Sequence, residues 1–294
     1  MSSVGALSSL NTLNRTSSAM NKTIQRMSTG SKHPSAAYGP SSYAITQRTY
    51  SNIGAVNQSN SNTQNTNAML NVAAGAVGKT VDSLTSLREK VLQAANGTNN
   101  KTDIANLQKV VDQTISQINE NASVTFNGQR LLDGSKDTFA VASYDGYQNV
   151  HLGNITAQGL GLADSEGNST LNLSDLENET LTGNDGTTTV ANEKGEYDGA
   201  VGAVLKTVDD ALNKALDLAT SIGATQQGLE FQSSNLVTTA ENLTAAVSTE
   251  DDVDMAAEAV RFNSEKNQSQ MAMFGVQAHM NLLQQRMGIV DMLK

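Results

Sequence analysis

Residues 4–27 read VGALSSLNTLNRTSSAMNKTIQRM, and Val4, Leu7, Leu10, Leu13, Met20, Ile24 and Met27 recur in it at three- and four-residue steps. That spacing draws an apolar stripe along one side of a helix whose other sides are Ser, Asn, Thr and charge. The far end of the chain repeats the pattern with Val253, Ala257, Val260, Met271, Phe274, Ala278, Leu282, Val290 and Leu293. A narrow stripe on a lone terminal helix cannot bury itself. It needs a second helix, supplied by the opposite terminus or by a neighbouring subunit. A chain built this way reads as a building block before it reads as an enzyme.

Composition supports slender helices over a thick core. Only 4% of the 294 residues are aromatic, Trp is absent, and Pro occurs twice, at Pro34 and Pro40. Ala, Leu, Val and Met therefore carry the packing, and long helices run without interruption. The absence of Cys excludes disulfides and thiolate zinc sites. The net charge of −10 is unevenly spread: no Asp or Glu precedes Asp82, whereas Arg15, Lys22, Arg26, Lys32, Arg48 and Lys79 do. These cations are too scattered for a polybasic patch, and the acidic balance argues against nucleic acid. Nor is a membrane partner expected, since no apolar run approaches the roughly 20 residues needed to cross a bilayer. The first twenty residues lack the apolar region of a cleaved signal, so the chain is cytosolic or exported by another route.

Working inward, Ser28–Ser42 breaks the first helix with turn residues. Periodicity resumes at Ile45, Ile53 and Val56, then meets Asn57–Asn67, eleven successive Asn, Gln, Ser or Thr residues. It returns in phase at Leu70, Ala74, Val77, Val81, Leu84 and Val91, so one continuous helix with a hydrated or subunit-facing segment is expected over 45–95. After the turn Asn96–Asn100, Ile104, Leu107, Val111, Ile115 and Ile118 make a shorter antiparallel helix. Thr138–Tyr144 and Gln148–Leu152 flank Asp145-Gly146, which signals a β-hairpin. Residues 163–198 hold nine acids against Lys194 alone and read as a short acidic surface insertion. A long helix follows over 200–248. The fold class is thus mainly α: an antiparallel coiled-coil bundle with a small β-hairpin region, the terminal helices forming a second, coaxial layer. The expected divisions are 1–42, 43–162, 163–199, 200–250 and 251–294.

Catalytic chemistry is missing. His33, His151 and His279 lie in separate segments without metal-ligand spacing. The acids at 175–185 lack the calcium-loop pattern, and no phosphate-cradling or nucleophile motif sits in a strand–turn–helix context. No cofactor is expected. The ten Met suit adaptable packing at a helix interface.

The segment Leu13–Gly30, LNRTSSAMNKTIQRMSTG, with Ser35-Ala36 and Ala44-Ile45 after it, resembles the N-terminus of bacterial flagellins. Leu87-Arg88-Glu89, Gln93–Thr98 and Thr125-Phe126-Asn127-Gly128 before Leu131-Leu132 are similar to that family in order and spacing. Glu241–Ala246 and Asp252–Glu258 resemble its C-terminal signature. The resemblance implies a compact, secreted filament subunit, exported by the flagellar type III apparatus to the extracellular flagellum. A flagellin-like hook–filament junction protein is the alternative. Implied partners are further copies of the chain, the flagellar cap, the hook-associated junction proteins and an export chaperone. The assembly interface would use Leu7, Leu10, Leu13, Met20, Ile24, Met27, Val253, Val260, Met271, Phe274, Leu282, Val290 and Leu293. The family's site for the innate receptor Toll-like receptor 5 falls at Ser86, Leu87, Arg88, Glu89, Lys90 and Val110. Ser86 replaces the family's Arg, Lys90 its Leu and Val110 its Glu, so weak or no receptor binding is expected. One further departure stands out: Tyr38-Gly39 occupies the place of an acidic pair.

Overall fold

Pro40 opens a helix of 55 residues, α2 (Pro40–Ala94), at the position where its fixed φ fits and its missing N–H has no bond to lose. The other long helices are α1 (Ser2–Thr29), α3 (Lys101–Ala122), α5 (Gly199–Asp251) and α6 (Met255–Met292). Among the described residues between α3 and α5 come four short strands, β1 (Thr125–Phe126), β2 (Gln129–Arg130), β3 (Thr138–Ser143) and β4 (Gly146–His151), and one turn of helix, α4 (Ala157–Leu160). This computed structural model describes residues 2–96, 98–164, 166–173 and 199–292. The chain is mainly α, as its periodicity requires, and it divides into two units: Met1–Ala55 with Thr238–Lys294, and Val56–Val237.

The second unit is built on a seam. Val56, Ser59, Thr63, Thr66, Leu70, Ala73, Val77, Thr80, Leu84, Leu87 and Val91 step down α2 by alternating threes and fours, and all are buried. α2 therefore runs unbroken through the polar stretch, as expected, but Ser59, Thr63 and Thr66 are not hydrated. Their neighbours' carbonyls explain how this is tolerated: Thr63 Oγ1 donates to Ser59 O at 2.9 Å, Thr66 Oγ1 to Asn62 O at 2.8 Å, and Thr80 Oγ1 to Ala76 O at 3.0 Å. These three threonine hydroxyls are satisfied within their own helix.

Across the seam lie Val201, Leu205, Val208, Ala211, Ala215, Ile222, Leu229 and Leu236 of α5. Arg88 Nε donates to Asp209 Oδ1 at 2.7 Å, Gln226 Nε2 to Asn71 Oδ1 at 2.8 Å, and Ser233 Oγ to Asn60 Oδ1 at 2.6 Å. Residue numbers fall along α5 as they rise along α2, so the pair is antiparallel. α3 enters on an Asn100–Asp103 capping box and adds Ile104, Val111, Ile115 and Ile118 to the same core. Each fully buried Leu, such as Leu84, contributes about 1.5–3 kcal/mol over an exposed one.

The β region differs in detail from the sequence reading. β3 and β4 pair antiparallel with Ser143 opposite Gly146, so the two loop residues are Tyr144-Asp145, one earlier than the Asp145-Gly146 expected. Gly146, at φ +136, is the first residue of the returning strand. Alternation puts Phe139, Val141 and Val150 into the second core cluster with Leu70, Val77 and Ile222. A smaller hairpin, β1–β2, was not anticipated. Its loop Asn127-Gly128 has both residues at positive φ, +50 and +76, the requirement of a tight two-residue turn. The expected acidic insertion also begins inside the core: Leu171 and Leu173 are buried against α3 and α5 residues. The remainder of that insertion, 174–198, lies outside the described residues.

Candidate assembly interface

In the first unit α1 and α6 pack side by side and antiparallel. Arg26 meets Glu258, and Gly5 meets His279. The seam between them is not the apolar stripe read from the sequence. Its most buried members are Thr16 and Thr23 on α1 and Glu258, Ser269 and Ala272 on α6. Two glycines bring the backbones close: a Cβ on Gly5 would run into the His279 ring, and one on Gly275 would come within 3.1 Å of Ser9 Oγ. Glu258, 5% exposed, accepts from Arg26 Nη1 at 3.2 Å and Arg261 Nη1 at 3.4 Å. A charge buried that deeply needs such partners.

Geometry explains the discrepancy. A step of three residues falls about 60° short of a full helical turn. The run Val4, Leu7, Leu10, Leu13 therefore winds around α1 instead of staying on one side. Leu13, Met20 and Met27 end up half-buried at the edge of the α6 seam, while Leu7, Leu10 and Ile24 stand out in solvent. On α6, Val260 and Phe274 are each 70% exposed, Met271 75% and Leu282 52%. Val253, expected in the terminal helix, sits before α6 begins. The side chain of Val290 and all of Leu293 lie outside the described residues. The intramolecular partner thus takes the hydroxyl-and-glycine side of each helix, half-covers Leu13, Met20 and Met27, and leaves Leu7, Leu10, Ile24, Val260, Met271, Phe274 and Leu282 bare.

A short clasp closes the other end of this pair. Gly30, at φ +71, ends α1 with its N–H on Arg26 O. Val253 N–H then donates to Gly30 O at 2.9 Å, and Lys32 N–H to Asp251 O at 2.6 Å. Asp251 Oδ1 accepts from Ser31 Oγ at 2.7 Å and His33 N–H at 3.2 Å, with His33 Nδ1 3.6 Å away. Lys32 Nζ reaches the Thr249 and Glu250 carbonyls, placing a cation at the negative end of α5. Asp254 caps α6 by accepting the Ala256 and Ala257 N–H groups. Sequence reasoning missed this clasp, because none of its residues belongs to a periodic pattern.

The clasp also accounts for Tyr38-Gly39. The Tyr38 ring lies 5.6 Å from the Arg26 guanidinium and 6.0 Å from Lys22 Nζ, and its hydroxyl donates to Gln25 Oε1. An aromatic face does here, on the α1 cations, what an acidic residue would do. A Cβ on Gly39 would come within 2.9 Å of the His33 ring, so the glycine makes room for the histidine.

Among the receptor-site positions, Ser86, Glu89 and Val110 are exposed, and Arg88 and Lys90 are partly so. Leu87 is fully buried in the α2 seam and offers a partner nothing. Arg88 is engaged by Asp209, as described above, and Lys90 Nζ lies 3.4 Å from Gln93 Oε1.

A helical chain that closes a polar seam on itself and leaves large apolar residues bare presents the kind of surface by which one subunit joins another. The bacterial flagellin N-terminal helical region matches residues 2–137 and the C-terminal helical region residues 205–288. The chain is 30% identical over 285 residues to a flagellin of Bacillus subtilis (strain 168), covering 91% of each. It is 30% identical over 279 residues to the flagellar filament 33 kDa core protein of Treponema phagedenis, covering 90% of this chain and 89% of that one. In fold it resembles a protein of Vibrio parahaemolyticus described as flagellar hook-associated, with a TM-score of 0.56 at 18% identity over 73% of this chain and 100% of that one. The chain belongs to the bacterial flagellin family. It is a structural subunit of the flagellar filament and not an enzyme.

Proposed function

We propose that the bare apolar residues of α1 and α6 are the contacts through which one subunit joins the next. Leu7, Leu10 and Ile24 on one helix, with Val260, Met271, Phe274 and Leu282 on the other, are the assembly residues, and Leu13, Met20, Met27, Val253, Val290 and Leu293 extend the set. The observation that carries this reading is the exposure of Met271 and Phe274, 75% and 70%, on a helix whose inner side is already occupied. Large apolar surface left in water by one chain marks an interaction site. Segments 1–42 and 251–294 act as assembly elements, and 43–162 with 200–250 as the bundle.

The chain is exported through the flagellar type III apparatus with an export chaperone, and it works outside the cell. There it meets the flagellar cap during growth and the hook-associated junction proteins at the filament base. Full-length similarity to filament proteins favours the filament over a junction role. Toll-like receptor 5 binds the chain weakly or not at all, because Ser86, Lys90 and Val110 lack the family's receptor-contacting groups and Leu87 is buried. The test of the central reading is regrowth: heat-dissociated protein with added seeds should give long filaments visible by electron microscopy. Short, self-limiting structures would favour the junction role instead.

A further inference from the structure

Sulfur in this chain is carried by methionine alone, ten Met and no Cys. Oxidants therefore meet no thiol, and the exposed thioethers are the first sulfur they find. Among the described methionines, exposure is concentrated on α6: Met271 is 75% exposed, Met280 52%, Met255 48% and Met273 46%, whereas Met69 in the second unit's core is 8% exposed. Met255 is the first residue of the helix, about five turns from Met273, so the three that cluster are Met271, Met273 and Met280. Met271 shares the outward stripe with Val260, Phe274 and Leu282. Met273 and Met280 stand two turns apart on the opposite side of the helix from Met271, about 160–180° round its axis. Oxidising these three would mark both bare sides of the helix.

We propose that Met271, Met273 and Met280 form an oxidation-sensitive set, converted to sulfoxides by peroxide-class oxidants in the unassembled chain, and that this conversion blocks addition to the filament. The proposal rests on the assembly reading above. In each step the thioether sulfur attacks a peroxide oxygen. The S–O bond forms as the O–O bond breaks, sulfur is oxidised by two electrons, and the departing hydroxide takes the proton of the transferred oxygen and leaves as water. A flexible apolar side chain becomes a polar one. Buried in a neighbour's apolar contact without a donor, each sulfoxide weakens attachment roughly tenfold. Once assembled, the same sulfurs are covered and react slowly, so sensitivity belongs to the subunit before it is placed.

The test treats purified, dissociated full-length chain with dilute hydrogen peroxide, maps sulfoxides by peptide mass spectrometry, and measures seeded polymerisation. Met271, Met273 and Met280 should oxidise well before Met69, and the oxidised chain should fail to extend seeds. Methionine sulfoxide reductase should restore extension. Peroxide applied to finished filaments should leave the three sites largely unmodified. A Met271→Leu, Met273→Leu, Met280→Leu variant, close in volume and without sulfur, should polymerise and keep doing so after peroxide. Equal polymerisation of oxidised and untreated chain would overturn the proposal while leaving the filament reading intact. Equal inhibition of the triple variant would do the same, as would oxidation of Met69 at the rate of Met271. If untreated chain never extends seeds, the filament reading itself fails and the proposal falls with it.

Discussion

Replacing Phe274 with Ala separates what α6 does for its own chain from what it does for its neighbours. Phe274 is 70% exposed, so of a side chain offering about 200 Å2, about 140 Å2 remains available to a partner. At about 25 cal/mol per Å2, covering that area is worth about 3.5 kcal/mol. Fixing the ring in an interface costs about 1 kcal/mol. The remaining 2.5 kcal/mol or so corresponds to a change of roughly a hundredfold in the critical concentration for polymerisation. Phe274→Asp should be worse, because it places an unpartnered carboxylate in the same contact. Within the single chain the ring touches little, so the melting temperature of the dissociated protein should barely move. Sedimentation of seeded mixtures over a range of protein concentrations gives the critical value, and circular dichroism gives the melting curve. An unchanged critical concentration for Phe274→Ala would refute the assignment of this stripe to assembly. A matched fall in monomer stability would show that the ring supports α6 internally instead.

Other perturbations address separate parts of the molecule. Asp251→Ala removes the acceptor of Ser31 Oγ and His33 N–H, leaving two donors without their partner at a cost of about 1–3 kcal/mol. Proteolysis within 31–38 should accelerate while the core of the second unit stays resistant; unchanged cleavage would count against the clasp. For the receptor, the dissociated chain should be a poor agonist in a Toll-like receptor 5 reporter assay. The triple variant Ser86→Arg, Lys90→Leu, Val110→Glu should gain potency, since one central anchor is typically worth about 2 kcal/mol or more. Finally, hydrogen bonds to the Asp164 carboxylate, first from the Asn168 N–H and then from its side chain and the Glu166 N–H, hold that group below the usual aspartate value. Its stabilisation of the 164–168 loop is complete above the unfolded value and is lost as pH falls through the lowered one. Exchange of the Asn168 amide should therefore quicken in acid beyond the intrinsic pH dependence of exchange, and Asp164→Ala should abolish that change.

How far the sequence could be read depended on what each contact is made of. The heptads of α2, α3 and α5 are apolar for most of their length, and hydropathy located them; continuity through Asn57–Asn67 followed from the lack of Gly and Pro there and from the unbroken phase of the flanking heptads. The α1–α6 seam was invisible for the opposite reason. Gly5, Thr16, Thr23, Ser269 and Gly275 carry no apolar signal; of the residues that do, Leu13, Met20 and Met27 are only half-buried beside the seam, and Leu7, Leu10, Ile24, Val260, Met271, Phe274 and Leu282 stand in solvent. The Leu171 and Leu173 contribution was masked by acidic surroundings. Asn127-Gly128 is a legible turn signal, but the strands on either side are two residues each, too short for any alternation to mark a hairpin. The clasp around Asp251 depends on one carboxylate meeting a loop far away in sequence, which no local pattern encodes.

The buried threonines of α2 present hydrocarbon to the helices around them. Because Thr63, Thr66 and Thr80 return their hydroxyl protons to their own backbone, the part left for surrounding residues is chiefly a methyl group. The polar stretch is hydrophilic in spelling and oily in touch. Valine has almost the same outline, and the Ser59 carbonyl keeps its place in the helix ladder without the hydroxyl, so exchange of Thr63 for Val would leave the shape of the joint intact, whereas Ala would open a hole. This portion of the chain can thus drift between hydroxyl and hydrocarbon over many generations without disturbing how its helices mesh. A tally of hydropathy would record large change where the joint itself had hardly altered.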